Sequence, residues 1–290
     1  MAEVVNITAT AFANATSAVY QPTYLERQWL SFFEGKDYVI IRLAVILFLW
    51  HEFVFFSRFL PYYICDFIPY FRKYKIQDNK ENTPELVWKC IKHVLVSQIT
   101  LQLPMMMAFH PVATLMGMKF LEVPFPNWQT VALSCLFCLM AEDFYHYFAH
   151  RLLHYGQLYK KIHKLHHEYS APFGLAAEYA HPIETLTLGI GFFVGPAILL
   201  ACGVEMHVMT MATWLAVRLI AVVDVHSGYD FPWSLRNFLP CWGGSDFHDY
   251  HHMAFVGNYS STFRWWDWMF GTDAAYNEWK KRQAAKKKVA

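Results

Sequence analysis

Charged side chains are scarce in this chain: Lys, Arg, Asp and Glu make up 16% of its 290 residues. Soluble domains average roughly 25%, so the polar surface of an ordinary soluble protein is missing. An excess of one sign is missing too. A net charge of +1 without a dominant basic stripe argues against nucleic acid as a partner. Cysteine is sparse, with six residues at Cys65, Cys90, Cys135, Cys138, Cys202 and Cys241, mostly inside apolar runs. Cys135 and Cys138 form one CxxC with no second to match it. They read as small core residues at helical spacing rather than as a zinc or redox pair. The first 36 residues lack the basic-then-apolar order of a secretory signal peptide. Internal repeats and low-complexity linkers are absent.

What the chain has is apolar surface, 56% of its residues, and aromatic rings, 18%. Five runs stand out: 38–56, 94–109, 131–141, 186–204 and 208–223. A helical span needs roughly 20 apolar residues. The first and fourth runs meet that length; the others fit spans, re-entrant pieces or helices packed on the membrane. The pattern predicts an all-α integral membrane protein, with loops near 77–85, 122–128 and 228–233. Basic residues cluster at Arg72, Lys73, Lys75 and Lys80, at Lys160, Lys161 and Lys164, and from Lys280 to Lys288. Basic clusters favour the cytosolic side. All three share that side if 94–109 pairs with 131–141 and 186–204 with 208–223. The N-terminus is then lumenal, where sequons at Asn6 and Asn14 are admissible. The expected organisation is an N-terminal segment 1–37, membrane helices 38–128, a histidine-rich domain 129–273 and a basic tail 274–290.

The fifteen histidines are not spread evenly. They crowd into HYFAHRLLH (His146, His150, His154), HKLHH (His163, His166, His167) and HDYHH (His248, His251, His252), with His181 and His226 standing alone. On a helix, positions i, i+3 and i+4 share a face. His163 therefore points with His166 and His167, and His248 with His251 and His252. The adjacent pair in each group differs by roughly 100° around the helix, so it reaches two neighbouring points instead of one. So many uncoordinated imidazoles are costly to desolvate beside a membrane, and coordination removes that cost. A structural zinc site takes four ligands, usually with Cys. Eight or more His without a nearby Cys imply two metals, of a kind that imidazole suits: Zn, Cu, Fe or Ni. Glu142, Asp143, Glu168, Glu178, Glu184, Asp224, Asp230, Asp246 and Asp249 are candidates to orient the ring N–H groups. His51, His93, His110 and His207 read as ordinary structural histidines.

An HRxxH, an HxxHH some nine residues later and a distal HxxHH resemble the membrane fatty acid hydroxylase and sterol desaturase superfamily, over roughly residues 130–273. The longer strings HKLHHEYSAPFGLAAEYAHPIETL, DVHSGYD and HHMAFVGNYSSTFRWWDWMFGTD resemble, more closely, the C4-methylsterol oxidases, and FIPYFRKYKIQ extends the likeness upstream. The resemblance implies a non-haem di-iron centre on the cytosolic face of the endoplasmic reticulum membrane. It also implies O₂ as oxidant, electrons from NAD(P)H through cytochrome b5 or its reductase, and oxidation of a sterol C4 methyl through alcohol and aldehyde to carboxylate. The ligands it implies are His150, His154, His163, His166, His167, His226, His248, His251 and His252. In some relatives a further histidine follows His226; here that place is Asp230. His181 is the candidate to replace it, with His146 one turn before His150 as a supporting residue. The terminal Lys287-Lys288-Val289-Ala290 resembles a dilysine retrieval signal. The histidine boxes alone leave open a C5-sterol desaturase, a sterol side-chain hydroxylase, a fatty acid hydroxylase or a metal-binding protein without turnover.

Overall fold

The computed structural model describes residues 20–35 and 38–289. The sequons at Asn6 and Asn14, and the last residue of the dilysine ending, lie outside them. Among the described residues there are helices and three isolated bridges, and no strands. The all-α expectation holds. The helices are α1 (Tyr24–Phe33), α2 (Val39–Cys65), α3 (Pro84–Ser97), α4 (Leu103–Leu115), α5 (Trp128–Leu153), short α6 (Gly156–Lys161), α7 (Pro182–Ala201) and α8 (Val208–Val225), with the five apolar runs falling on α2, on α3 and α4 together, and on α5, α7 and α8. Three of these, α2, α7 and α8, are long and apolar enough to cross a membrane. Helix α8 thus joins the two runs that length alone selects. The expected loops fall between helices, and Pro84 starts α3 with Thr83 capping it through the Leu86 N–H.

Helices α7 and α8 are joined by the turn at 202–207, and both pack on α5. His181 caps α7 and Pro182 occupies its first turn, where the missing N–H costs nothing. The chain leaves at Ala201, turns at Gly203 with φ of 77°, and returns along α8 to His226. Trp214 is fully buried between the two, stacked on Phe192 at 5.7 Å and donating to its carbonyl at 2.9 Å. Such an aromatic pair contributes about 1 kcal/mol beyond its area. Helix α5 lies against α7 at a seam that depends on glycine. A Cβ on Gly195 would sit 2.6 Å from the Cys138 Cα, and one on Gly191 2.9 Å from the Tyr145 ring. Small residues one turn apart let two backbones approach where side chains would hold them off. The opposite face of α5 exposes Leu133, Leu136, Met140, Phe144 and Phe148. It therefore presents an apolar row outward even though its charges keep it out of the three candidate spans.

Helix α2 runs alongside α8 in the same sense. At the end they share, Arg58 pairs with Asp224 at 2.7 Å and Tyr229 donates to Asp66 at 2.6 Å. Beyond α8 come α9 (Gly244–Ala254), α10 (Trp265–Phe270) and α11 (Ala274–Val289). Every residue from Gly244 to His252 is buried. The C-terminal segment, expected as a basic tail, begins as a docked helix. Tyr276 is buried against Phe247 and Tyr250 and donates to Asp246, which also receives Lys280 at 3.0 Å. Aromatic residues at helical spacing in a basic segment are what the tail reading passed over.

Candidate metal centre

Four pieces of chain meet at the end of the helices where α7 begins and α8 finishes. The end of α5 supplies His150 and His154, the C-cap of α8 supplies His226, and α9 supplies His248, His251 and His252. HKLHH, expected on an α-helix, is a 3-10 turn over His163–Glu168. The tighter winding does not spoil it, because a short buried turn still presents successive side chains to different sides.

The imidazoles sort into two groups. His150, His154, His163, His167 and His251 bring one nitrogen each to within 4.8 Å of one another, and His166, His226, His248 and His252 do the same. The i, i+4 pairs stay together: the Nε2 atoms of His163 and His167 are 3.1 Å apart, and so are those of His248 and His252. The third member of each box crosses over. His166 joins the group of His248, and His251 joins the group of His163. The expectation that each box points as a unit is therefore corrected, while the expected divergence of adjacent histidines is what splits them. The groups abut, with the rings of His167 and His252 4.7 Å apart.

The outer nitrogens make the inner faces of these rings fit a cation. The Nδ1–H groups of His150, His166, His226, His251 and His252 donate to the carbonyls of Tyr259, Tyr179, Val222, Gly257 and Tyr169 at 2.6–3.1 Å. His163 Nδ1 lies 2.9 Å from Glu184 Oε1. A neutral imidazole that donates from Nδ1 has only a lone pair at Nε2. Yet His150 and His163 bring those Nε2 atoms to 3.0 Å, and His226 and His166 to 3.2 Å. Lone pairs at that distance repel unless a positive ion lies between them. A proton is a poor substitute, since burial pushes His154 and His166 down to about 4 and holds His163, His167, His248, His251 and His252 well below the usual imidazole range. Nine imidazoles without a thiol fit a pair of borderline ions such as iron.

His181 does not join them. Its Nδ1 accepts from the Ile183 N–H at 3.2 Å, so it is a helix cap. Asp230, where a further histidine was considered, pairs with Arg236 at 2.7 Å. His146 lies 5.2 Å from the His150 ring and 3.4 Å from Glu142, outside both groups. Most of the candidate carboxylates also work elsewhere. Asp143 accepts the Thr262 and Phe263 N–H groups, Asp249 receives Gln77, and Glu168 pairs with Lys89. Backbone carbonyls orient the rings instead, because they are present in the buried loops without the cost of desolvating a further charge.

A cavity of about 210 Å³ opens on both groups through His150, His163, His166, His226 and His248. Behind it lies an apolar cavity of about 240 Å³ and then one of about 250 Å³, walled largely by Met and Phe from α4, α7 and α8. Gln102, Glu178 and Arg218 stand where the first two adjoin. The sequence reading left these three without a role toward the cavity. Arg218 carried a signal, as a lone cation in an apolar run.

Comparison with known proteins places the class first: residues 135–272 match the family model described as Fatty acid hydroxylase. The chain is 45% identical over 264 residues to the C-4 methylsterol oxidase erg25 of Schizosaccharomyces pombe, covering 91% of this chain and 88% of the relative. It is 44% identical to methylsterol monooxygenase erg25B of Aspergillus fumigatus over 90% of this chain and 88% of that one. With methylsterol monooxygenase 1 of Rattus norvegicus the identity is 47%, over 78% and 76%. The chain belongs to the methylsterol monooxygenase family. No solved structure matches it significantly.

Proposed function

We propose that this protein oxidises the C4 methyl group of 4-methylsterols, through alcohol and aldehyde to carboxylate, using O₂ at two iron ions held by the nine clustered histidines. The observation that carries this is the meeting of two imidazole groups, lone pairs inward, with a row of apolar cavities among membrane-type helices. Iron bound there would supply the activation of O₂ that an unactivated C–H bond requires. The protein's own part is to fix the rings through backbone carbonyls, to keep water away by burial, and to present the substrate. Each of the three oxidations removes two electrons from carbon. Each also draws two electrons from NAD(P)H, which we assign to delivery by cytochrome b5 or its reductase, and releases the second oxygen atom as water. The apolar cavities suit a sterol entering from the bilayer, and we place the enzyme in the endoplasmic reticulum membrane with the histidine end toward the cytosol.

The relatives named above carry methylsterol oxidation in their names, which favours this chemistry over desaturation or side-chain hydroxylation. Membranes containing the protein, given a 4,4-dimethylsterol, NADH and O₂, should yield a 4-carboxysterol. A desaturated or side-chain-hydroxylated product in its place would overturn the assignment.

A further inference from the structure

Between the histidine cavity and the apolar cavity behind it is a belt shared by both, formed by Gln102, Glu178, Thr185, Gly189, Phe192 and Arg218. Two of these side chains are each held by a carboxylate that lines the histidine cavity, and each leaves one hydrogen-bonding atom unfilled. Arg218 pairs through Nη2 with Glu142 Oε1 at 2.9 Å, while its Nη1 is buried with no partner. Gln102 donates through Nε2 to Glu178 Oε2 at 3.1 Å. Its amide nitrogen must face the carboxylate, so its carbonyl Oε1 is the atom left over, and it too is buried without a partner.

The supports look built for this purpose. Glu178 is fixed by His51 at 2.9 Å and by Gln98 at 2.9 Å. Gln98 and Gln102 open and close a π turn between α3 and α4, which brings both amides onto one carboxylate. Such turns recur at functional positions in helices. Buried donors and acceptors are rarely left empty, because burial costs them the water they had.

An unfilled donor and an unfilled acceptor in one belt match a hydroxyl group, which accepts one hydrogen bond and donates another. A carboxylate could use only the donor, and a hydrocarbon neither. A sterol carries its hydroxyl on C3, next to C4, so whatever holds that oxygen also decides which C4 substituent reaches the metal-binding end. We infer that Arg218 and Gln102 form the subsite for the C3 hydroxyl of the substrate, with Arg218 Nη1 donating to its oxygen and Gln102 Oε1 accepting its proton. This rests on the function proposed above. Glu142 Oε2 is also without a partner, but Glu142 lines the inner cavity alone.

The test uses the full-length protein in lipid nanodiscs with a 4,4-dimethylsterol and its 3-deoxy analogue, measuring equilibrium sterol binding and turnover separately. Wild type should prefer the hydroxysterol by ~10- to 100-fold. Gln102→Leu and Arg218→Lys should each lose ~10-fold or more on the hydroxysterol and little on the deoxysterol. Arg218→Lys keeps a cation for Glu142, and Gln102→Leu leaves Glu178 its other two donors, so metal content should be retained in both. Equal losses on the two sterols, or a wild type indifferent to the C3 oxygen, would overturn the subsite. A wild type that binds the hydroxysterol preferentially and does not oxidise C4 keeps the subsite and removes the proposed function. One that oxidises C4 regardless of C3 does the reverse.

Discussion

Each imidazole in the cage has its inward chemistry set by what its outer nitrogen touches. That relation separates His251, a member of a histidine box, from His181, the candidate that stood alone. His251 is fully buried and anchored on the Gly257 carbonyl. His251→Ala removes one lone pair from the five-membered group, and metal analysis of the purified variant should show depleted metal together with loss of turnover. Undiminished metal and full turnover would refute its role. His181→Asn keeps a capping side chain, so it should retain metal and activity with a stability change of about 1 kcal/mol or less. The clustered histidines could be picked out from spacing, because two HxxHH strings are rare and desolvation makes them expensive. That adjacent histidines diverge was legible too; which group each one joins was not, because it depends on the carbonyls behind the rings, from Val222 on α8 and from residues 169, 179, 257 and 259.

Among the elements, the close seam of α5 with α7 carries the largest mechanical demand. The two helices bring Glu184 against His163 and place His150 beside it. Gly195 is where they approach most tightly, and its neighbour there is backbone, which cannot turn aside as a side chain can. Gly195→Leu should therefore force the helices apart, at a cost of about 1–3 kcal/mol or more. It should lower the melting temperature and reduce bound metal, although no ligand is altered. An unchanged melting temperature would mean that the seam tolerates separation. In the sequence these glycines appear only as part of an apolar run. Their spacing is visible, but the surface they pack on belongs to a helix some fifty residues away. The π turn was hidden for a related reason: two Gln in an apolar run signify little until Glu178 is seen between them.

For the molecule as a whole, α2, α7 and α8 put the cage at one end and the turn at 202–207 at the other. Twenty helical residues separate His181 from Cys202, about 30 Å at 1.5 Å per residue. Cys202 and Cys241 are the exposed cysteines, the other four being buried or partly so. Cys241 lies just before α9, which belongs to the cage. In sealed microsomes with the cytosolic face outward, a membrane-impermeant maleimide should label Cys241 and spare Cys202 until detergent is added. Equal labelling without detergent would place the two ends on one side. The apolar runs made the membrane character legible from composition alone. The docking of α11 was not, since its basic residues outnumber the few aromatic residues that seat it.

The crossing of the two histidine boxes has a further consequence. His166 and His167 are joined by one peptide bond and serve different groups, and so are His251 and His252. The peptide that carries one ring of such a pair therefore carries its neighbour as well, and the two groups share their backbone supports. A substitution that shifts the chain at 166–167 or at 251–252 is thus felt in both groups at once.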